Sequence, residues 1–210
     1  MAGTITVGTP SEPSGLALCF PLTCAYNYGY SEYQQVYTDT AFSGPISISG
    51  ISFYRNTDLA TNGAEPADFD VYLSTTSAAV DNLGTNLNTN EGADKQLFGS
   101  YSIGTTMPDV LTLDGTPFSY DPSKGNLLVD IVFTSWSNNN VPLAELEYTA
   151  PDGLSSRAFP GWSQPYSLYT TFNTTLNDPS GPSDTPEPAT IGSLGLGLAG
   201  MGLVLRQRRR

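Results

Sequence analysis

Asn126-Leu127-Leu128-Val129-Asp130-Ile131-Val132-Phe133 is the stretch that decides the fold class. It is too short and too rich in β-branched residues for a buried helix. Its apolar residues fall on consecutive positions instead of alternating, which predicts a central strand covered on both faces. Just upstream, Asp121-Pro122-Ser123-Lys124-Gly125-Asn126 has the chemistry of a turn feeding that strand.

Working outward, other segments alternate with the period of a half-buried strand. Ile46-Ser47-Ile48-Ser49 alternates, Gly50 breaks the phase, and Ile51-Ser52-Phe53 resumes it, as at a β-bulge. Phe69-Asp70-Val71-Tyr72-Leu73 puts Phe, Val and Leu on one face. Weaker strand signals lie at Gln34–Tyr37, Lys95–Ile103, Val110–Leu113, Ala144–Thr149, Ser155–Phe159 and Leu168–Phe172. Together these give about nine short strands separated by turn formers, and they predict an all-β body over residues 1–175. The expected architecture is an antiparallel β-sandwich with jelly-roll-like topology. No stretch of ten or more residues in the body has helical periodicity, and the Asn-rich segment 79–94 reads as a long polar loop.

Composition agrees with this and narrows function. Charged residues make up 13 % of the chain, about half the usual share, and there is no histidine. Residues 1–185 hold nineteen acidic and four basic groups, a net charge of −15, which repels phosphate backbones and argues against nucleic acid as a partner. Without histidine, Ser-His-Asp and Cys-His catalysis is excluded. Phosphate-cradling glycine loops are missing as well. Same-face acid pairs such as Asp68 with Asp70 and Glu145 with Glu147 could in principle serve a carboxylate-based polysaccharide hydrolase. Acids at this spacing more commonly solubilise a strand, and the chain reads as non-enzymatic.

Three sets of residues are candidates for binding or bridging. Cys19 and Cys24 could form a small-loop disulfide in an oxidising compartment, or remain two free thiols; a zinc site is not indicated, because there is no second Cys pair. Tyr26, Tyr28 and Tyr30 alternate and would share one face of a strand; with Trp162 and Tyr166 they are candidates for stacking on sugar rings. Packing within a Tyr-rich β protein is the bland alternative. No cofactor is indicated, although Asp81 through Asp94 and Asn138-Asn139-Asn140 could supply oxygen ligands to calcium.

The end of the chain differs in kind. Residues 176–188 (LNDPSGPSDTPEP) are rich in Pro, Ser and Asp and read as a disordered linker ending in Pro186-Glu187-Pro188. Ala189 to Leu205 is an uncharged run of 17 residues, about 25 Å as a helix, at the short end for a transmembrane span. Five glycines make it a weak anchor. Arg206, Arg208, Arg209 and Arg210 follow and would stay on the cytoplasmic side as a topological stop, with the acidic body across the membrane.

Pro-Glu-Pro, an apolar span and a terminal arginine cluster, in that order over 186–210, resemble the PEP-CTERM sorting signal of Gram-negative bacteria that make exopolysaccharide. The resemblance implies that an exosortase, a membrane transpeptidase, recognises Pro186, Glu187 and Pro188. The helix would be removed and the body passed from the inner membrane to the cell surface or extracellular matrix. Phe118 to Ile131 more loosely resembles segments in the bodies of other proteins with such tails, which brings no activity with it. A lipid-anchor signal should not end on arginines, and no LPxTG-like motif is present; a plain unprocessed anchor is the remaining alternative. MAGTITVG has no basic segment and no apolar run, so the expected export signal was either removed or lies upstream. Three expectations follow: an exopolysaccharide-associated surface protein with the means to bind carbohydrate; a purely structural surface module; and, distantly, the hydrolase.

Overall fold

The computed structural model describes residues 2–10 and 19–176. Its elements are β1 (Ala2–Val7), α1 (Ala25–Tyr28), β2 (Glu32–Tyr37), β3 (Ile46–Tyr54), β4 (Ala67–Thr76), β5 (Gln96–Ile103), β6 (Val110–Tyr120), β7 (Asn126–Trp136), β8 (Tyr148–Thr149), β9 (Ser155–Phe159), β10 (Trp162–Gln164), β11 (Ser167–Leu168) and β12 (Thr170–Leu176). The linker and helix expected over 177–210 lie outside the described residues.

Four strands form one sheet in the order β1-β12-β3-β6, and six form a second in the order β10-β9-β2-β7-β4-β5. Every pairing between neighbouring strands in these sheets is antiparallel. When the 148–168 excursion that carries β8 to β11 is set aside, eight strands remain, ordered β1-β12-β3-β6 and β2-β7-β4-β5. Every chain connection among them crosses from one sheet to the other, except the β4–β5 hairpin. That is jelly-roll connectivity.

The two inner faces meet in one apolar core. Ile46, Ile48, Ile51, Phe53 and Phe172 enter it from the first sheet, and Tyr33, Tyr37, Phe69, Val71, Leu127, Val129 and Ile131 from the second. Tyr37 and Phe172 meet edge to face across it, with ring centroids 4.9 Å apart. The core also buries polar groups in pairs. Gln35 donates to Tyr37 Oη and to the Leu168 carbonyl, and its own oxygen accepts from Tyr33 Oη and the Leu168 amide. A buried amide is tolerable only because both its ends are satisfied in this way.

The bulge expected at Gly50 is present. The β3–β6 register slips between Ile48 and Gly50, and this is what allows Ile46, Ile48, Ile51 and Phe53 all to face the core. Likewise β7 lies between β2 and β4 and is buried on both faces. The turn before it needs its glycine. Gly125 has φ 143°, and a Cβ there would sit 2.5 Å from the Thr76 carbonyl oxygen.

Three departures from the sequence reading have physical reasons. β1 was not predicted; it is a polar edge strand paired only to β12, with little apolar signal. β6 runs to Tyr120 through Pro117, which an edge strand tolerates. The segment Ala144–Thr149 contributes only the two-residue β8, although Leu146 bridges Arg55.

Candidate functional site

The long loop 77–95 lies on the outer face of the six-stranded sheet. Leu83 and Leu87 pack there on Val36, Leu128 and Ala158 to form a second, smaller apolar cluster. Asn90 fastens the loop to β2 by donating to Gln34 Oε1 at 2.9 Å, and Gln34 in turn donates to the Leu87 carbonyl at 3.2 Å. Gly92 permits the close approach: a Cβ there would sit 1.9 Å from the Thr75 carbonyl oxygen. A segment that reads as a plain polar loop is thus the lid over β2 and β7.

Where that loop returns to the sheet, three carboxylates converge. Gln34 on β2 pairs with Asp130 on β7, which sets Glu32 and Asp130 diagonally on the same outer face. Glu91 arrives from the loop, and one oxygen of each of the three carboxylates lies within 4.8 Å of the others. Lys95 Nζ binds Asp130 Oδ2 at 2.7 Å and Glu91 Oε1 at 2.9 Å, and rests 4.5 Å from the centre of the Tyr72 ring. Asp130 is 2 % exposed; no N–H or hydroxyl donates to its Oδ1, and the Glu32 carboxyl lies within hydrogen-bonding reach of it.

The electrostatics follow from burial and charge shortage. Partial burial, then the negative charge of Asp130, push the Glu32 carboxyl up to about 7. Burial likewise raises Asp130, against the pull of Lys95. Burial works against the Lys95 ammonium, but its bonds to Asp130 and Glu91 outweigh that and hold it above its ordinary value. Three acids therefore share one ammonium. Residues 32, 91–95 and 130 are far apart in sequence, and only the reading of Asp81 through Asp94 as oxygen donors for calcium pointed towards any of them.

The aromatic candidates divide. Residues 26 and 28 belong to the helical turn α1, closed by Gly29 at φ 65°, so the strand alternation assumed for Tyr26 and Tyr28 does not hold; their side chains lie outside the description. Tyr30 is half-buried against Phe20 and Phe159. Trp162 is 60 % exposed on β10, opposite Phe159 in register. Tyr166 is half-buried and covers the Arg157 guanidinium at 4.8 Å, and Phe159 lies on that same guanidinium at 5.7 Å. The fold thus links Tyr30, Phe159, Arg157 and Tyr166 in a chain of contacts, with Trp162 outermost. Cys19 and Cys24 are joined by a disulfide, Cα atoms 5.3 Å apart, immediately before α1.

The remaining sequence candidates are occupied locally. Asp68 accepts from Ser102 and Ser135, which hold its carboxyl below the ordinary value, and Asp70 accepts from Ser100. Asn138 closes a turn onto the Asn140 amide, and Asn139 donates to the carbonyls of Ala64 and Thr105. Asp94 accepts from the Thr75 amide. A cleft of about 430 Å³ opens beside Asn139, between residues 60–63, 105–106 and 141–142; no carboxylate lines it.

The body is therefore an all-β, antiparallel protein of jelly-roll connectivity. Residues 184–210 match the PEP-CTERM protein-sorting motif, and this match takes in Pro186, Glu187, Pro188 and Arg206, Arg208, Arg209 and Arg210. The chain carries the sorting signal of an exported protein that is held at the membrane and processed by an exosortase, a membrane enzyme. No curated protein and no solved structure matches the chain. Among the described residues no helix is long and apolar enough to cross a membrane, and residues 189–205 are not among them.

Proposed function

We propose that the jelly-roll body is the delivered cargo, an exported and non-enzymatic surface or extracellular-matrix protein that associates with exopolysaccharide. In this reading the segment 189–205 anchors the chain by a helix, and cleavage at or near Pro186-Glu187-Pro188 releases the body. The observation that carries the export and release of the body is the sorting motif at 184–210. Carbohydrate binding is assigned to the Trp162 and Tyr166 side of the body. An indole left 60 % exposed on β10, with a half-buried phenol over the Arg157 guanidinium of the paired strand, offers the flat apolar faces that suit the C–H face of a sugar. Tyr30 lies within the same chain of ring contacts and supports that surface.

The alternative is a structural module with no specific ligand. The hydrolase reading is weaker: Asp130 is almost wholly buried, so the Glu32–Asp130 pair does not flank a cleft that a glycan could enter. Co-sedimentation of the full-length chain with exopolysaccharide from the producing bacterium tests the proposal. Saturable binding, weakened about 3- to 10-fold by Trp162→Ala, is expected. Absent binding, or binding indifferent to Trp162→Ala, favours the structural module or another surface.

A further inference from the structure

From the geometry at the sheet–loop junction we infer a divalent-cation site, for calcium, formed by Glu32 on β2, Asp130 on β7 and Glu91 on the loop 77–95. An acidic cluster alone would not carry this, since exposed acids gather on many surfaces. The additional observation is Asp130: 2 % exposed, with no N–H or hydroxyl donating to Oδ1 while Oδ2 is held by Lys95, so that only the Glu32 carboxyl, and only while it keeps its proton, can meet it. A buried carboxylate oxygen without a partner is costly unless something positive meets it.

The charge count selects the ion. Lys95 binds Glu91 and Asp130, and Glu32 shares its proton with Asp130. A cation that takes the place of that proton leaves three ionised carboxylates and one ammonium around it, a charge of −2, which a divalent ion brings to zero with Lys95 still in place and a monovalent ion does not. The donors are all carboxylate oxygens, which suit hard cations and not zinc or copper. Calcium fits better than magnesium because it accepts irregular coordination, and a loop meeting a sheet supplies an irregular set. The dissociation constant expected is that of extracellular calcium modules, roughly 0.1–1 mM. Binding would tie Glu91, and with it the lid over the second apolar cluster, to two strands of the sheet.

The test uses the full-length chain, freed of metal by a chelator and kept in detergent. Calorimetric titration with calcium should show about one site per chain, and a Tm about 3–6 °C higher at about 5 mM calcium. Glu91→Gln and Glu32→Gln, which keep side-chain shape and should fold, are expected to lose most of that shift. Asp68→Asn, an acid of the same sheet outside the cluster, should keep it. No calcium binding, or a calcium shift of equal size in both Gln variants, would overturn the assignment.

Discussion

The two sheets share one core and differ on their outer faces. On the four-stranded sheet the outer face is built from paired hydroxyls: Ser52 with Thr112, Thr6 with Thr171, and Tyr54 with Thr171. On the six-stranded sheet the loop 77–95 covers part of the outer face and seals a second apolar cluster, with buried charge at its margin. Hydroxyl ladders satisfy each other and need no cover. The apolar Val36 and Leu128 beside the ionic Asp130 need both cover and countercharge. The covered face is thus where stability is vulnerable and where solution conditions can act.

Substitutions that contrast the shared core with the two faces test this difference. Phe172→Ala, at the centre of the common core against Tyr37 and Phe42, should cost about 3–5 kcal/mol in denaturant unfolding. Leu87→Ala on the covered face should cost less, about 2–3 kcal/mol, because only the lid cluster loses packing. Thr6→Ala on the hydroxyl face, where the side chain is exposed and its partner Thr171 keeps the Tyr54 hydroxyl, should stay within about 0.5 kcal/mol. If Leu87→Ala proved as harmless as Thr6→Ala, the loop would not be a lid.

A pH series separates the faces by a subtler effect. Folding raises Glu32 from its ordinary value near 4.5 to about 7, so the fold favours the neutral acid. That stabilisation is complete below about pH 4.5 and is lost as pH rises through 7. In metal-free solution Tm should therefore fall between pH 4.5 and 7.5, and Glu32→Gln should flatten the fall. Asp121, on the turn after β6 of the four-stranded sheet, behaves oppositely: it is shifted down, so its contribution changes only at pH below its ordinary value of 3.8.

Much of the sandwich was readable because its signals are local. The apolar run 126–133 demanded cover on two faces, and Gly50 marked the bulge that keeps Ile48 and Ile51 on one side. What was not readable depends on distance or on hidden geometry. Tyr26 and Tyr28 satisfy a strand period equally well, and nothing in their spacing shows that Gly29 closes a helical turn there. The lid was unreadable because Leu83 and Leu87 are two leucines in a polar stretch, without any period. The acid cluster joins residues 32, 91 and 130, whose proximity exists only after β2 and β7 pair and the loop folds back. The sorting tail lies at the other extreme, since its signal is the order of residues and needs no fold.

The most direct test of the functional account is the C-terminal peptide of the protein as it stands on the surface of the producing cell. Mass-spectrometric mapping should find a terminus at or near Pro186-Glu187-Pro188, with the apolar run 189–205 and the arginines gone. Recovery of surface protein that still ends in Arg206-Gln207-Arg208-Arg209-Arg210 would contradict it and leave an unprocessed anchor in its place.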